Sequence, residues 1–392
     1  MKNNAKRNSR LLKLLKTGFF AFVCLFLLAG CWDEREIEDR TAITALAVDE
    51  AKNGGYKVTI QIAIPLLIAG GVSTPGGGGG SGKPVLTVDA TGRTFDEALE
   101  KIQYRVDHKL FFGQMTIVVF GRKIATDGIQ SIIDALRRMS QIRRLLYPIV
   151  VEEGKASDLL QVNTQMEKIP ANFINLMIQN GIRMGTLPDL TLGRYFVSLS
   201  NSSRQPAMLS FKMQGKKSLI ETGIAVFHGP KMVGLLNRLE TSNFLRVSKE
   251  NGGGKYTFQA GKKGQLATYQ PNLVDTNYDF FEKNGRVHVN VDVFVEGQLT
   301  EVTYPLNLQK QSVRERLKKT MEKNMAKQST EMVKKLQQYG SDILGFGPRL
   351  RAYHYDLWKK IDWDKAFPKA KVNIQYHIQM RRSGMEMKNY RG

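Results

Sequence analysis

Apolar residues recur at every second position in several segments of this chain and at every third or fourth in others, so strands and helices interleave. Ile43 to Val48 and Tyr56 to Ile64 read as strands, the second setting Val58, Ile60, Ile62 and Ile64 on one face. A glycine-rich loop follows, then a short strand at Val85 to Val88. Thr94-Phe95-Asp96-Glu97 has the spacing of a capping box and predicts a helix from there to about Tyr104. Gln114 to Phe120 reads as a buried strand, Asp127 to Met139 as a helix and Tyr147 to Val151 as a strand, with Ser157 capping the next helix. Pro170 to Gln179 and Pro188 to Leu199 are predicted helices, each with proline in its first turn, where the missing N–H costs nothing.

A region richer in strands begins near Pro206. Ala207 to Met213, Ser218 to Phe227 and Lys231 to Leu236 come first, the last two joined by a Gly229-Pro230 turn. Arg286 to Glu296 sets Val287, Val289, Val291, Val293 and Val295 against mostly polar partners, the clearest strand pattern in the chain. The period then changes. From Asn307 to Tyr339, Val313, Leu317, Met321, Met325, Met332, Leu336 and Tyr339 form one stripe of a long helix whose other faces carry lysine and arginine. This stripe predicts packing on the domain's own sheet, with solvated lysines outside; a membrane-surface or partner helix is the second reading. Val372, Ile374, Tyr376, Ile378 and Met380 return to period two and predict a final strand at about 370–382.

The N-terminus has a different character. Lys2, Lys6, Arg7, Arg10, Lys13 and Lys16 precede an uncharged run from Thr17 to Gly30, and Leu28-Ala29-Gly30-Cys31 closes it. This is the layout of a secretory leader ending in a lipobox, and the run is shorter than the roughly 20 apolar residues of a membrane-spanning helix. Cys31 is therefore the expected acceptor of a diacylglyceryl group, with residues 1–30 as the signal peptide. Cys24 lies in the leader, so the mature chain would keep no thiol for a disulfide, a metal or a nucleophile.

Without the six leader cations the formal charge falls from +22 to +16. For an exported, tethered protein this surplus predicts attraction to an anionic membrane surface. Export and the lack of any helix-turn-helix, zinc-finger or aromatic RNA-binding signature argue against nucleic acid.

Catalytic motifs are poor. Gly77 to Pro84 reads GGGGSGKP, with Pro84 where a phosphate-binding loop needs Ser or Thr and a strand where it needs a helix, so a flexible insertion is expected. The five histidines are scattered, none at metal-ligand spacing from another, and G-x-S-x-G is absent. His354, Asp356, Asp362 and Asp364 form a loose polar group that reads best as caps and surface contacts. Neither a cofactor, a metal nor a catalytic residue is expected.

Four segments carry a resemblance. Cys31-Trp32-Asp33-Glu34-Arg35-Glu36-Ile37, Phe112-Gly113-Gln114-Met115, and Gly223-Ile224-Ala225-Val226-Phe227 with Val233-Gly234 come first. The fourth runs from Ser341-Asp342-Ile343-Leu344-Gly345-Phe346-Gly347 through Trp358, Trp363 and Phe367-Pro368 to Arg381–Gly384. Their order resembles that of the Ger(x)C family, the lipoprotein C subunits of spore germinant receptors, over nearly the whole mature chain. The resemblance implies N-palmitoyl and S-diacylglyceryl modification of Cys31 and multi-span A and B subunits as partners. It also implies a lipid-anchored place on the outer face of the spore inner membrane and a non-enzymatic part in nutrient-triggered germination.

Gly345, Phe346 and Gly347 read as a turn presenting one aromatic, which with Trp358, Trp363 and Phe367 is expected to form a structural mini-core under the end of the long helix. The fold class expected is α+β, with two to three mixed domains, each a partly antiparallel sheet packed against helices. Residues 31–203 form the N-terminal region, possibly of two subdomains, and 204–392 the C-terminal domain with the long helix at about 307–339. A solute-binding lipoprotein of a transporter, with two similar α/β lobes, is the alternative function.

Overall fold

The apolar runs at Ile117–Gly121 and Tyr147–Val151 have no polar alternation, so their strands need cover on both faces, and both are buried throughout. The computed structural model describes residues 40–64, 84–164, 166–201, 203–215 and 218–381, together with Lys16, Gly18 and Phe19. Cys31 and the glycine run at Gly76 to Gly80 lie outside the described residues.

The first sheet comprises β1 (Arg40–Glu50), β2 (Tyr56–Ala63), β3 (Val85–Gly92), β4 (Lys109–Phe111), β5 (Ile117–Gly121), β6 (Tyr147–Val151), β7 (Ala207–Gln214), β8 (Ser218–His228) and β9 (Lys231–Asn237). Its spatial order is β3-β2-β1-β5-β6-β7-β8-β9, with β4 beside the start of β1. Strands β1, β5, β6 and β7 are parallel at the centre, and antiparallel pairings flank them on both sides. Parallel neighbours require crossovers, and the intervening helices supply them. These are α1 (Phe95–Gln103), α2 (Arg122–Asp127), α3 (Gln130–Arg138), α4 (Ala156–Leu159), α5 (Pro170–Arg183) and α6 (Leu192–Leu199). One face packs Val118, Phe120 and Val150 with Ala98, Ile102, Ile132, Leu136 and Tyr195 of α1, α3 and α6.

The opposite face, with Ile117, Val119 and Ile149, shares one continuous core with a second sheet. The chain reaches it through α7 (Arg238–Val247). That sheet orders β10 (Tyr256–Gln259), β11 (Leu266–Lys283), β12 (Arg286–Val302) and β13 (Lys371–Met380) in sequence, with β13 parallel to β12. Between the last two strands lie α8 (Gln311–Gln338), α9 (Phe346–Tyr353), α10 (Tyr355–Trp358) and α11 (Trp363–Ala366). Helix α8 packs on β13; Leu317, Met321, Met325, Met332 and Leu336 are fully buried in the same cluster as Val291, Val293, Ile374 and Tyr376. The fold is thus α+β, with mixed sheets packed against helices and a long C-terminal amphipathic helix.

Several local expectations change. The helix expected from Asp127 to Met139 starts later, as α3 at Gln130, because Gly128, with a φ of 121° that side-chain-bearing residues rarely adopt, ends the separate helix α2 there. Ser157 lies inside α4 rather than capping it; the free N–H groups of Ala156 and Ser157 are taken by Asp49 from the end of β1, at 2.7 and 3.0 Å. Helix α6 starts at Leu192, where the Thr191 hydroxyl accepts from Arg194 N, rather than at Pro188. The β5 strand starts at Ile117, because residues Phe112–Gln114 form a 3₁₀ turn.

β2 is buried on both faces rather than one. Gln61 donates to Leu160 O at 2.6 Å and accepts from the Thr44 hydroxyl and Ala171 N, so its amide meets partners that are distant in sequence. Strands β7 to β9 continue the first sheet, so strand pairing crosses the boundary expected at 203/204.

Burial of the α8 stripe sets a test. Leu317→Ala and Leu336→Ala should each lower unfolding free energy by about 2–5 kcal/mol, through lost burial and a residual cavity. Urea titrations followed by circular dichroism measure this; wild-type midpoints would show that the stripe does not support the core.

Candidate functional site

The C-terminal segment expected to form a structural mini-core builds the polar joint between the two sheets. Gly340 ends α8 with φ 63°, and Ser341 and Asp342 follow it into the interior. The Ser341 hydroxyl donates to Phe227 O of β8 at 2.5 Å. Asp342 is 2% exposed and accepts four hydrogen bonds: Gly345 N at 2.9 Å and Phe346 N at 3.2 Å on Oδ1, Gly347 N at 2.8 Å and Trp363 Nε1 at 3.0 Å on Oδ2. The carboxylate therefore closes the free N-terminal N–H groups of α9 and fixes the Trp363 indole on α11. Burial raises its pKa, while the hydrogen bonds from Gly347, Phe346 and Trp363 and the nearby Arg204 guanidinium oppose that rise.

The two glycines serve different needs. Gly345 sits at φ 76°, in the left-handed region. At Gly347 a Cβ would lie 2.2 Å from Ser203 O and 2.6 Å from Trp363 Nε1, so the position admits no side chain. The Phe346 ring between them packs against Tyr278 of β11 at 6.1 Å and Phe367 at 6.5 Å, and Trp363 meets Phe367 at 5.8 Å. Gln337 near the end of α8 donates to Phe367 O and Ala370 O. The structure thus brings Gly345, Phe346, Gly347, Trp363 and Phe367 together. Trp358 is half-buried at the margin of the shared core, outside these ring contacts.

Charged side chains extend the joint. Arg349 donates to Leu344 O, Gly345 O and Ser248 O, with its guanidinium 4.4 Å from the Tyr278 ring centre. Arg204, on the segment before β7, donates to Ile343 O at 3.2 Å and lies 3.8 Å from Glu250, which Arg194 of α6 also approaches at 4.0 Å. Burial pushes the Glu250 pKa up, against the pull of these arginines. The last carbonyls of α7 are capped from the second sheet: Thr276 donates to Arg246 O and Tyr278 to Val247 O. Burial pushes the Tyr278 phenol up to about 12, so it stays a protonated donor at neutral pH.

Sequence reasoning found the glycines and aromatics of this joint but not Asp342 as its centre, nor α7, β10 and β11. The signal for α7 was present, because Asn237 and Glu240 make a reciprocal capping box. In β11 the pattern is broken by Pro271, which sits at a bulge beyond the reach of β10, on an edge that tolerates the missing N–H. His354, Asp356, Asp362 and Asp364 do not converge: His354 packs on the Phe280 ring, Asp362 pairs with Lys365 and Asp364 accepts from Gln205. Among the described residues the two sheets differ, one nine-stranded with a parallel centre and the other four-stranded, unlike the two similar lobes expected of a solute-binding protein.

The joint predicts that Asp342→Asn, which turns an NH₂ group toward two N–H donors, costs about 1–3 kcal/mol. Gly347→Ala should cost a similar amount, about 1–3 kcal/mol, by overpacking against Ser203. Thermal melts of both variants check this, and unchanged melting of Asp342→Asn would deny the carboxylate its role.

Known proteins share this architecture. The spore germination protein N-terminal domain matches residues 33–213, and the spore germination B3/GerAC-like C-terminal domain matches residues 222–384. Spore germination protein KC of Bacillus subtilis (strain 168) is 27% identical over 385 residues, covering 92% of this chain and 94% of its own. Spore germination protein GerQC of Bacillus cereus is 24% identical, covering 93% of this chain and 98% of its own. The crystal structure of the GerBC protein superposes with a TM-score of 0.56 at 22% identity, covering 85% of this chain and 96% of that one, which shows the common fold. With the two family domains matching nearly everything after Cys31, in the order the sequence motifs gave, the chain belongs to the GerAC-like family of spore germination proteins.

Proposed function

We propose that the chain is the lipid-anchored, non-enzymatic C subunit of a nutrient germinant receptor, acting in assembly or signal coupling with multi-span A and B subunits. The observation that carries this reading is the lipobox cysteine two residues before a pair of spore germination domains, in a chain matched along nearly its whole length by relatives such as KC and GerQC. Cys31 takes the S-diacylglyceryl group and, after removal of residues 1–30, an N-palmitoyl chain. Several acyl chains together hold a protein stably where one alone does not. Among the described residues no helix is long and apolar enough to cross a membrane. The proposed place is the outer face of the spore inner membrane.

The exposed face of α8 suits such a place. Arg316, Lys319, Lys323, Lys327 and Lys334 are exposed along it, interrupted by Glu315 and Glu331, while the apolar stripe faces the core. Lys335 pairs with Glu240 of α7 at 2.9 Å, Lys318 approaches Glu322 at 3.9 Å and Lys327 approaches Glu331 at 4.0 Å. The exposed lysines add electrostatic attraction to anionic headgroups, each contributing about 1 kcal/mol when held near the surface.

Cys31→Ala should abolish lipid labelling, move the protein out of the membrane fraction or leave it as an uncleaved precursor, and weaken germination through this receptor. Unchanged labelling would sink the lipoprotein reading. Loss of copurification with A and B subunits tests the assembly part. Reversing Lys319, Lys323 and Lys327 to Glu should leave the melting temperature nearly intact, because solvated charges add little stability, while reducing binding to anionic vesicles in a salt-dependent way.

A further inference from the structure

The first sheet holds a second feature, far from the Asp342 joint. At the C-terminal ends of the parallel strands β1, β5 and β6 the chain turns away in three directions and leaves a cleft of about 960 Å³. Its walls are the Ala51–Gly55 turn, the starts of α2 and α4, and the Thr91–Arg93 segment with α1. In open sheets with parallel strands, ligands bind outside the carboxyl ends of the strands. The volume falls within the range of small-molecule sites, about 300–1,000 Å³.

The lining is strongly cationic. Seven lysine and arginine side chains face three carboxylates. Each of the three carboxylates is already engaged. Asp49 is buried and bonded to Ala156 N and Ser157 N. Glu97 lies between Arg93 and Lys101, at 3.2 and 2.9 Å, and Glu50 lies 3.6 Å from Lys123. Hydrogen bonds from Lys101 and Arg93 hold the Glu97 carboxyl down at about 2, so it is ionised throughout the physiological range. The side chains of Lys52, Arg122 and Lys155 are exposed at three different walls of the cleft and form no ion pair among the described residues, while the Lys155 backbone N–H donates to Asp158. Like charges gathered around one concavity, within about a Debye length of 8–10 Å, raise the local potential and concentrate counter-ions there.

Ile64 and Pro84, which flank the segment containing the glycine run, are joined by a backbone hydrogen bond at the opposite end of the sheet, where Ile62 pairs with Ile43. β1 also enters the sheet at that opposite end, at Arg40.

We propose that the cleft binds a small, multiply charged anion of the phosphate or polycarboxylate type, with Lys52, Arg122 and Lys155 as its principal contacts. Phosphoryl and carboxylate oxygens are the acceptors that such a set of lysine and arginine donors recognises.

The test is calorimetric titration of tripolyphosphate, pyrophosphate and citrate into the full-length chain in neutral detergent, at fixed ionic strength. Saturable binding of at least one probe is expected, and the tighter probe tells phosphoryl from carboxylate chemistry. The triple variant Lys52→Gln, Arg122→Gln, Lys155→Gln should weaken binding roughly tenfold or more, whereas Lys263→Gln, Lys283→Gln, Arg286→Gln, which removes the same charge from exposed positions in or beside the second sheet, should change it by less than about twofold. Melting curves establish that both variants are folded, and Arg122→Gln alone should give a partial loss. Failure of every probe to bind saturably, or equal weakening by both triple variants, overturns the proposal.

Discussion

A single buried carboxylate links the parts of this molecule. Asp342 stands between the end of α8 and the start of α9, and its two oxygens take four N–H donors from α9 and Trp363. A carboxylate out of water is costly unless hydrogen-bonded, and here each oxygen receives two bonds. Its neighbour Ser341 reaches Phe227 O of β8, and its own carbonyl accepts from Gln205 N before β7. The same few residues therefore set the direction of α9, seat the Trp363 indole and hold the second sheet's helices against the first sheet.

Around that joint the two sheets share a core rather than each closing its own. Ile117, Val119 and Ile149 of the first sheet fall in the same apolar cluster as Val289, Val291 and Val293 of the second. Helix α7 lies between them: it caps its start with Asn237 and Glu240, and its last carbonyls accept from Thr276 and Tyr278 of β11. Polar groups that a helix end leaves open are thus closed by the neighbouring sheet, which gives the packing direction as well as energy.

The charge distribution follows a different logic. Among the described residues Arg246 is the one buried cation, its guanidinium hydrogen-bonded to Gly252 O and Asn243 Oδ1. Exposed cations include a row on α8 and a set around the cleft at the ends of β1, β5 and β6. The first runs along one helix and the second lines a cleft, an arrangement that net charge alone does not reveal.

Local pattern decided much of this protein before any fold was known. Period-two alternation marked β12 and β13, the four-residue spacing of Leu317, Met321 and Met325 marked α8, and Thr94 marked the start of α1, where its hydroxyl accepts from Glu97 N. These features are legible because each depends on neighbours within a turn or a strand. The lipobox and the family motifs, which are sequence objects, were legible for the same reason. What the tertiary structure alone decided is how distant groups satisfy one another. The sequence marked Ser157 as a cap, but Asp49, over a hundred residues earlier, does the capping; it marked β2 as having one polar face, but Leu160 and Ala171 bury that face against Gln61. Asp342 and the cationic cleft were invisible for the same physical reason, since a hydrogen-bond partner or a shared electrostatic potential depends on separation in space, which sequence spacing does not encode beyond one element.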